Sequence, residues 1–515
     1  MILIYHHKNK VTAIGNNNSI GVDRTNNDSI ADFLVAIAKD YPEEILVWCH
    51  SSLKEQLNVL EIEKLFHHQK LMLSYNPSDT SYLDKSIGYV EESPFILINK
   101  TVSYPTWQMS SWVGVVHASV LNAIKNEVIL DNDFDYFLCS VAKLAMRKGL
   151  LCYSEPALLK NNKTSFSSKS SIYTLFRFVK QHYKTRWVFL LLLDLIVYER
   201  RFPLLPLLFS LLYKNRSNNE INFQAIIVKS SRNVIDKATV DIIIPTIGRK
   251  EYLYDVLLDL KAQNQLPTNV IIVEQNLDEQ STSNLDYLTN ESWPFTIKHT
   301  FTHQAGACNA RNSALKQITS EWVFFADDDI RIANNFIQKT LETINKYGAK
   351  AVTLKCYQKG EKNKENSVFQ WITFGSGCSF VFAESLKKCK FKMGYEFGFG
   401  EDGDFGMQLR NIGIDVLYLP EPEILHLKAP IGGFRTKPVL QWQDDSIQPK
   451  PSPTIMLYQM LHHSQEQRNS YKTTLFFKYY RLQTIKNPLK YYIHFQKQWE
   501  RSVFWANELK KQNEI

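Results

Sequence analysis

Three aspartates in succession, Asp327-Asp328-Asp329, follow the apolar run Trp322-Val323-Phe324-Phe325-Ala326. Like charges about 4 Å apart repel by roughly 1 kcal/mol in water and by several times that near a protein interior. A chain that keeps three carboxylates together at a strand end is therefore expected to hold a cation there. Oxygen ligation points to Mg²⁺ or Mn²⁺, which bridge carboxylates to phosphate oxygens. A helix N-terminus also favours Asp, but it accounts for one of the three.

Other residues of the same stretch suit charged or polar ligands. Gly398-Phe399-Gly400-Glu401-Asp402-Gly403-Asp404-Phe405 places a glycine-flanked acidic pair before a helix read as Gly406 to Asn411, where one carboxylate can be presented into a cleft. Gly306-Ala307-Cys308-Asn309-Ala310-Arg311-Asn312 opens a helix on small residues and carries Arg311 near its start. Backbone donors together with a guanidinium suit a diphosphate or a base edge; a solvated surface arginine is the plainer alternative. His426 comes after the apolar run Val416-Leu417-Tyr418-Leu419, downstream of the acidic triplet, where it can serve as a further ligand.

These residues need a scaffold. Val240-Asp241-Ile242-Ile243-Ile244-Pro245-Thr246 reads as a buried strand, the stretch from Glu251 to Gln263 as a helix, and Val270-Ile271-Ile272-Val273 as a second strand ending in Glu274. Strand, helix and strand of these lengths predict a parallel sheet. Ligands of such sheets lie beyond the carboxyl ends of the strands, which is where Pro245, Thr246, Arg249, Glu274 and the aspartate triplet fall. Phe374-Gly375-Ser376-Gly377-Cys378-Ser379-Phe380 reads as a flexible turn and a strand.

In this order the motifs resemble those of the inverting glycosyltransferases of family 2, over about 195 residues. The resemblance implies a GT-A fold: a Rossmann-like mixed α/β sheet that binds a nucleotide-diphosphate sugar. It implies that Asp327 and Asp329 hold a divalent metal (Mn²⁺ or Mg²⁺) against the donor diphosphate, with His426 completing that site. Asp402, beside Glu401, corresponds to the catalytic base. Pro245, Thr246, Arg249, Glu274, Arg311 and Asp328 fall where the donor is bound, Asp328 facing the ribose or sugar. The family more often has Asp at the position of Glu274. Gly432-Gly433 corresponds to a loop over the donor. Two other readings remain. A nucleotidyltransferase would carry a glycine-rich phosphate loop, which Pro245-Thr246-Ile247-Gly248-Arg249 is not. A non-catalytic nucleotide-sugar-binding module is opposed by the intact Asp327, Asp329 and Asp402.

At 515 residues the chain is too long for one core. Four segments are expected: an α/β domain over 1–165, a basic apolar helical segment and linker over 166–238, the catalytic domain over 239–435, and a proline-marked connector with a basic aromatic helical tail over 436–515. In the first, Glu44 to Cys49 and Pro94 to Ile98 read as buried strands. Gly149-Leu150-Leu151-Cys152-Tyr153-Ser154-Glu155-Pro156 echoes Gly413-Ile414-Asp415-Val416-Leu417-Tyr418-Leu419-Pro420-Glu421-Pro422, which makes this domain a candidate degenerate relative of the catalytic one. Asp131-Asn132-Asp133 has the letters of a metal motif but no preceding apolar strand, and is assigned no chemistry.

Composition, 44% hydrophobic and 22% charged, is that of a globular protein. The net charge of +8 is concentrated in residues 171–216 and 465–515. Both segments are also aromatic and Leu-rich, which suits an anionic membrane face; no nucleic-acid motif accompanies them. Seven scattered cysteines without a Cys-x-x-Cys pair indicate a reducing compartment. Met1-Ile2-Leu3-Ile4-Tyr5 is too short an apolar run for a signal peptide and reads as a strand. The stretch from Trp187 to Tyr213 is apolar, but Asp194, Glu199, Arg200, Arg201, Pro203 and Pro206 break it below the roughly 20 residues that span a bilayer. It is read as two helices, packed between domains or lying on a surface. The expected setting is the cytoplasm, with peripheral docking at the inner membrane face and a saccharide or lipid-linked saccharide as acceptor.

Overall fold

Runs of β-branched and aromatic residues that are buried on both faces build two sheets. The computed structural model describes residues 1–16, 29–124, 130–161, 169–216, 220–361, 365–430 and 438–512. It divides into two units. The first comprises Met1–Arg232 with Arg410–Gly413 and Ser464–Thr474; the second comprises Asn233–Leu409, Ile414–His463 and Leu475–Ile515.

The first unit contains seven strands: β1 (Ile2–His7), β2 (Lys10–Asn16), β3 (Ile45–His50), β4 (Leu71–Tyr75), β5 (Tyr104–Pro105), β6 (Val113–His117) and β7 (Leu151–Ser154). Their order is β2-β1-β3-β6-β4-β7-β5. β3 is parallel to β1, β6 is antiparallel to β3 and to β4, β7 is parallel to β4, and β5 is antiparallel to β7. Helices Ile30–Asp40, Phe134–Ala145 and Ile172–His182 contribute to one apolar core with Trp48 and Met72. Ser29 caps the first of these helices and Asp133 the second, each accepting from a first-turn N–H. Asp133 is therefore a helix cap.

The second unit contains β8 (Val240–Thr246), β9 (Asn269–Gln275), β10 (Thr296–Thr302), β11 (Trp322–Ala326), β12 (Ile330–Arg331), β13 (Ala351–Tyr357), β14 (Phe369–Gln370), β15 (Cys378–Phe382) and β16 (Leu417–His426). Their order is β10-β9-β8-β11-β15-β13-β16-β12, with β14 also on β16. β10, β9, β8 and β11 run parallel, as the strand-helix-strand pattern predicts. β15 then runs antiparallel between β11 and β13, and β16 is parallel to β13. This is a mixed α/β sheet of the GT-A type. Asp241 is buried within β8, where its carboxylate accepts from Asn269 Nδ2 (2.6 Å), Ser320 Oγ (2.6 Å), Thr319 N (2.7 Å) and Ser320 N (3.1 Å). A buried carboxylate with that many donors ties β9 and the approach to β11 onto β8.

The two sheets share a plan. β1, β3, β4, β5, β6 and β7 correspond in chain order, spatial order and direction to β8, β11, β13, β14, β15 and β16. The sheets differ at both edges, where the second unit adds β12 on β16 at one and departs more at the other. Between β8 and β11 the second unit inserts β9 and β10 with their helices, whereas between β1 and β3 the first unit has the antiparallel hairpin strand β2 and helix Ile30–Asp40. The echo around Gly149 and Gly413 falls on the equivalent strands β7 and β16.

Several local expectations shift. Pro94 to Ile98 is not a strand: Pro94–Ile96 forms a 3-10 turn, because Pro94 begins a turn readily and supplies no N–H to a ladder. The helix read from Gly406 begins at Glu401, so the acidic pair lies in its first turn, where the helix dipole favours carboxylates. The strand read as Val416 to Leu419 runs on to His426. Trp187 to Tyr213 does form two helices, Arg186–Glu199 and Leu204–Ser210. Among the described residues no helix is long and apolar enough to cross a membrane. Gly432-Gly433 and residues 162–168 lie outside the described residues.

Candidate active site

The ends of β8, β9, β11 and β16 and the start of helix Glu401–Asn411 gather the acidic residues read from the sequence. Asp328 is buried. Its carboxylate accepts from Thr246 Oγ1 at 2.7 Å and from Arg249 Nη1 at 2.6 Å. The same guanidinium nitrogen lies 3.2 Å from Asp329. Burial pushes the Asp328 carboxyl up to about 6, against the pull of Arg249 and Thr246. Asp328 therefore faces β8 and its cation, not an open cleft. Pro245 is the penultimate residue of β8, paired with Val273.

Asp329 is buried beside it and accepts from Ala429 N at 2.8 Å. His426 Nε2 lies 3.1 Å from Asp329 Oδ1. Burial raises the Asp329 pKa, but His426, the Ala429 N–H and Arg249 outweigh it and the net shift is downward. The same hydrogen bond raises the pKa of His426. Asp327 differs from its two neighbours: its side chain is 36% exposed, with Arg311 Nη2 at 3.4 Å. One ligand atom each from Asp327, Asp329 and His426 lie within 4.8 Å of one another, the only such group among the described residues. Two carboxylate oxygens and an imidazole nitrogen, with one carboxylate open to the cleft, fit a hard divalent cation.

The crowding of the triplet does not by itself require a metal. Arg249 faces Asp328 and Asp329, and Arg311 faces Asp327, so the chain supplies its own cations. What speaks for an ion is the convergence of three donors from β16 and the residues after β11, which repulsion alone does not produce.

Asp402 sits in the first helical turn, and its Oδ1 accepts from Ser376 N at 3.2 Å. Burial raises its pKa; Arg311 and Ser376 pull it back without cancelling the rise, and Asp327 adds to it. Glu401 is likewise raised, by burial and by the adjacent Asp402 charge. Beneath them Phe405 stacks on Phe391 (4.3 Å between centroids) and packs against Phe325 and Phe374, so the helix start is held on an aromatic floor. Asp404 points away from the cleft into a buried network with His462 (2.7 Å), Lys392 (2.7 Å) and Gln408 (2.7 Å), which holds its pKa low despite burial.

Two expectations change in detail. Gly306 does open the helix Ala307–Leu315, but the free N–H groups there are already taken: Glu396 accepts from Cys308 N (3.1 Å) and Asn309 N (2.8 Å). Arg311 is the charged donor that this helix start keeps beside Asp327. Glu274 is the penultimate residue of β9, paired with Thr246, and engages His299 Nε2 at 2.9 Å. His299 and Ser283 hold its pKa below the usual range against the burial that raises it.

Four further residues, given no role from the sequence, take part. Gly377 was read as part of a flexible turn, yet a Cβ there would lie 2.1 Å from Asp327 Oδ2. Ser376 holds Asp402. Cys356 and Cys378 hydrogen-bond to each other within electrostatic reach of Asp327. Two glycines around a serine, directly before a strand that pairs with the one ending in the triplet, were the available signal.

The first unit repeats the frame without the acids. His50-Ser51-Ser52 follows the body of β3 where Asp327-Asp328-Asp329 follows β11. Asp135, in the first turn of Phe134–Ala145, accepts from Ser111 N (2.7 Å) and Ser111 Oγ (2.9 Å), in the manner of Asp402 and Ser376.

A strand-end acidic cluster on a mixed sheet, with a tethered carboxylate at a helix start, fits the GT-A arrangement expected from the sequence motifs. Residues 241–405 match the family model described as Glycosyl transferase family 2. Among solved structures, the chain is similar to S. aureus TarS 1–349 (16% identity, TM-score 0.35, covering 52% of this chain and 81% of that one). It is also similar to TarS 1–349 in complex with UDP-GlcNAc (17% identity, TM-score 0.36, covering 53% and 81%) and in complex with UDP (17%, TM-score 0.35, covering 53% and 80%). No curated protein matches the chain.

Proposed function

We propose that residues 239–435 transfer a sugar from a nucleotide-diphosphate donor to an acceptor hydroxyl in one inverting displacement that depends on a divalent metal. The carrying observation is the half-buried Asp402, tethered by Ser376 and within electrostatic reach of Asp327, a member of the Asp327–Asp329–His426 cluster. A carboxylate whose pKa is raised by burial is a stronger base than one in water, and it can take the hydroxyl proton as the oxygen attacks the anomeric carbon. Glu401, raised in the same way, stands beside it as a second acid–base group.

Asp327, Asp329 and His426 would hold Mg²⁺ or Mn²⁺, which supplies Lewis-acid stabilisation of the diphosphate leaving group. Arg311, buried with its Nε unpaired, is placed to meet phosphate charge alongside Asp327. Thr246, Pro245 and Glu274, neighbours at the ends of β8 and β9, offer the nucleoside side of the donor a polar edge. Arg249 acts through Asp328, orienting it against the site. The acceptor class is a saccharide or a lipid-linked saccharide, as in the synthesis of a cell-surface polysaccharide or glycolipid, in a protein located in the cytoplasm. Incubation with a panel of nucleotide sugars and Mn²⁺, read as nucleoside diphosphate release with and without added acceptor, tests the reading. Release from none of them by the wild-type chain would count against transfer and favour a binding module.

A further inference from the structure

Helix Leu204–Ser210 is apolar on every side. Pro206, Leu207 and Ser210 turn inward, and Leu207 joins the core of the first unit. The outward side is also apolar: Phe202 is 68% exposed, Leu204 54%, Leu205 60%, Leu208 59%, Phe209 53% and Leu212 80%. A helix that is hydrophobic all round belongs either in a core or in lipid. Isolated exposed leucines are ordinary, but six large apolar side chains within eleven residues form a contiguous patch that marks an interaction site.

The charge around this patch selects among occupants. Lys184, Arg186, Arg200, Arg201 and Lys214 flank it and are all exposed. Glu199 pairs with Arg201 and offsets one of these charges, whereas Asp194 is buried and leaves the other four without an acid from this stretch on the surface. A ridge of leucine and phenylalanine rimmed by cations matches the acyl boundary and anionic headgroups of a bilayer. The helix is too short to cross the hydrocarbon core, at about 1.5 Å per residue against roughly 30 Å. It can only lie in the interface.

We infer that the Arg200–Lys214 knuckle docks the protein on an anionic lipid surface, with Leu205, Leu208 and Leu212 entering the headgroup–acyl boundary and the surrounding bases contacting lipid phosphates. The sequence pointed to both basic segments; the structure favours this one, because here the apolar side chains project outward while the helix is anchored from behind. Docking is read without turnover, so its failure and the failure of the transfer reaction are separable.

The test is co-sedimentation of the full chain with vesicles of phosphatidylcholine alone and of phosphatidylcholine mixed with phosphatidylglycerol. Wild type should bind the mixed vesicles at least about tenfold more tightly than the neutral ones. Leu208→Ser with Leu212→Ser should lower that affinity at least about tenfold. Transfer to a water-soluble acceptor should be unchanged, which also reports that the variant is folded. Arg200→Gln with Arg201→Gln should remove most of the preference for anionic lipid. Equal binding by wild type and the leucine variant overturns the proposal. So does loss of binding only on Leu489→Ser with Ile493→Ser, which would move docking to helix Pro488–Gln512. A lipid-free dimer that dissociates on Leu208→Ser with Leu212→Ser would also overturn it, since the patch would then be a surface for a second copy.

Discussion

Gly377 and Asp327 leave no room between them: a Cβ at position 377 would lie 2.1 Å from Asp327 Oδ2 and 2.3 Å from its Cγ. Asp327 is the member of the acidic triplet with an open side chain, so its rotamer is set by the chain that passes over it. Gly377→Ala should displace the carboxylate and lower transfer at least about tenfold, since misplacing a group by about 1 Å costs on the order of a hundredfold. The thermal midpoint should change little, because Asp327 is half-exposed. Steady-state kinetics and a melting curve on one preparation check both; unaltered kinetics would mean that Asp327 is not needed where it stands.

Asp402→Asn keeps the shape of the side chain and its hydrogen bond from Ser376 while removing the base. Turnover is expected to fall by about 10²–10⁴. Nucleotide binding, followed by calorimetry, should stay within about twofold. Near-normal turnover would move the base role to Glu401.

In protein freed of metal by a chelator, the His426–Asp329 contact links stability to pH. Asp329 has a folded pKa below its ordinary 3.8, so its contribution is present above 3.8 and is lost as the pH falls through the lowered value. His426 has a folded pKa above its ordinary 6.5, so its contribution is full below 6.5 and is lost as the pH rises through the raised value. The melting difference between wild type and His426→Ala should therefore be largest between those limits and shrink on the alkaline side. A difference that grows with alkaline pH would reverse the assignment.

Arg249 stabilises two buried aspartates at once. Arg249→Ala leaves Asp328 without its cation and should destabilise the second unit by about 3–5 kcal/mol, the cost of breaking one side of a buried pair. Adding Asp328→Asn should recover part of that loss, because the uncompensated charge goes with it. Urea melts of the two single variants and the double variant measure the coupling; strict additivity would mean that the two side chains do not interact.

Asp135 occupies in the first unit the place of Asp402 in the second. Asp135→Ala removes two hydrogen bonds to Ser111 and should cost about 1–3 kcal/mol of stability. The turnover of the folded protein should not change, since among the described residues Asp135 belongs to no group that could hold a metal. A loss of turnover without a loss of stability would assign chemistry to the first unit.

Much of the second unit was legible because its signals are local. Continuous apolar runs such as Ile242-Ile243-Ile244 and Val270-Ile271-Ile272-Val273 can only be buried strands, and carboxylates directly after such runs must lie at strand ends. The triplet was found on those grounds; Asp402 stood out as a glycine-flanked acid before a helix, His426 as a histidine downstream of the triplet, and the family resemblance gave both their roles. Less local features were misjudged. Pro94 to Ile98 has the letters of a strand, but Pro94 gives a ladder no donor. The N-terminus of Ala307–Leu315 had the look of an anion site, yet Glu396, almost ninety positions later, fills it.

By itself, the sequence determined the kind of chemistry: which groups can hold a cation, which can accept a proton, and that a parallel sheet presents them at its carboxyl edge. Only the tertiary structure decided how the charges are balanced and which acids are free to act. Asp328 is spent on Arg249 and Thr246, Asp404 on His462 and Lys392, while Asp327 stays open and Asp402 is pressed toward basicity. The six shared strand positions of the two units were likewise hidden, since strand order depends on pairings between distant segments and leaves almost no local trace. The reason is physical: a residue type fixes what a group can do, but its pKa and partners depend on burial and on neighbours that the chain brings from far away.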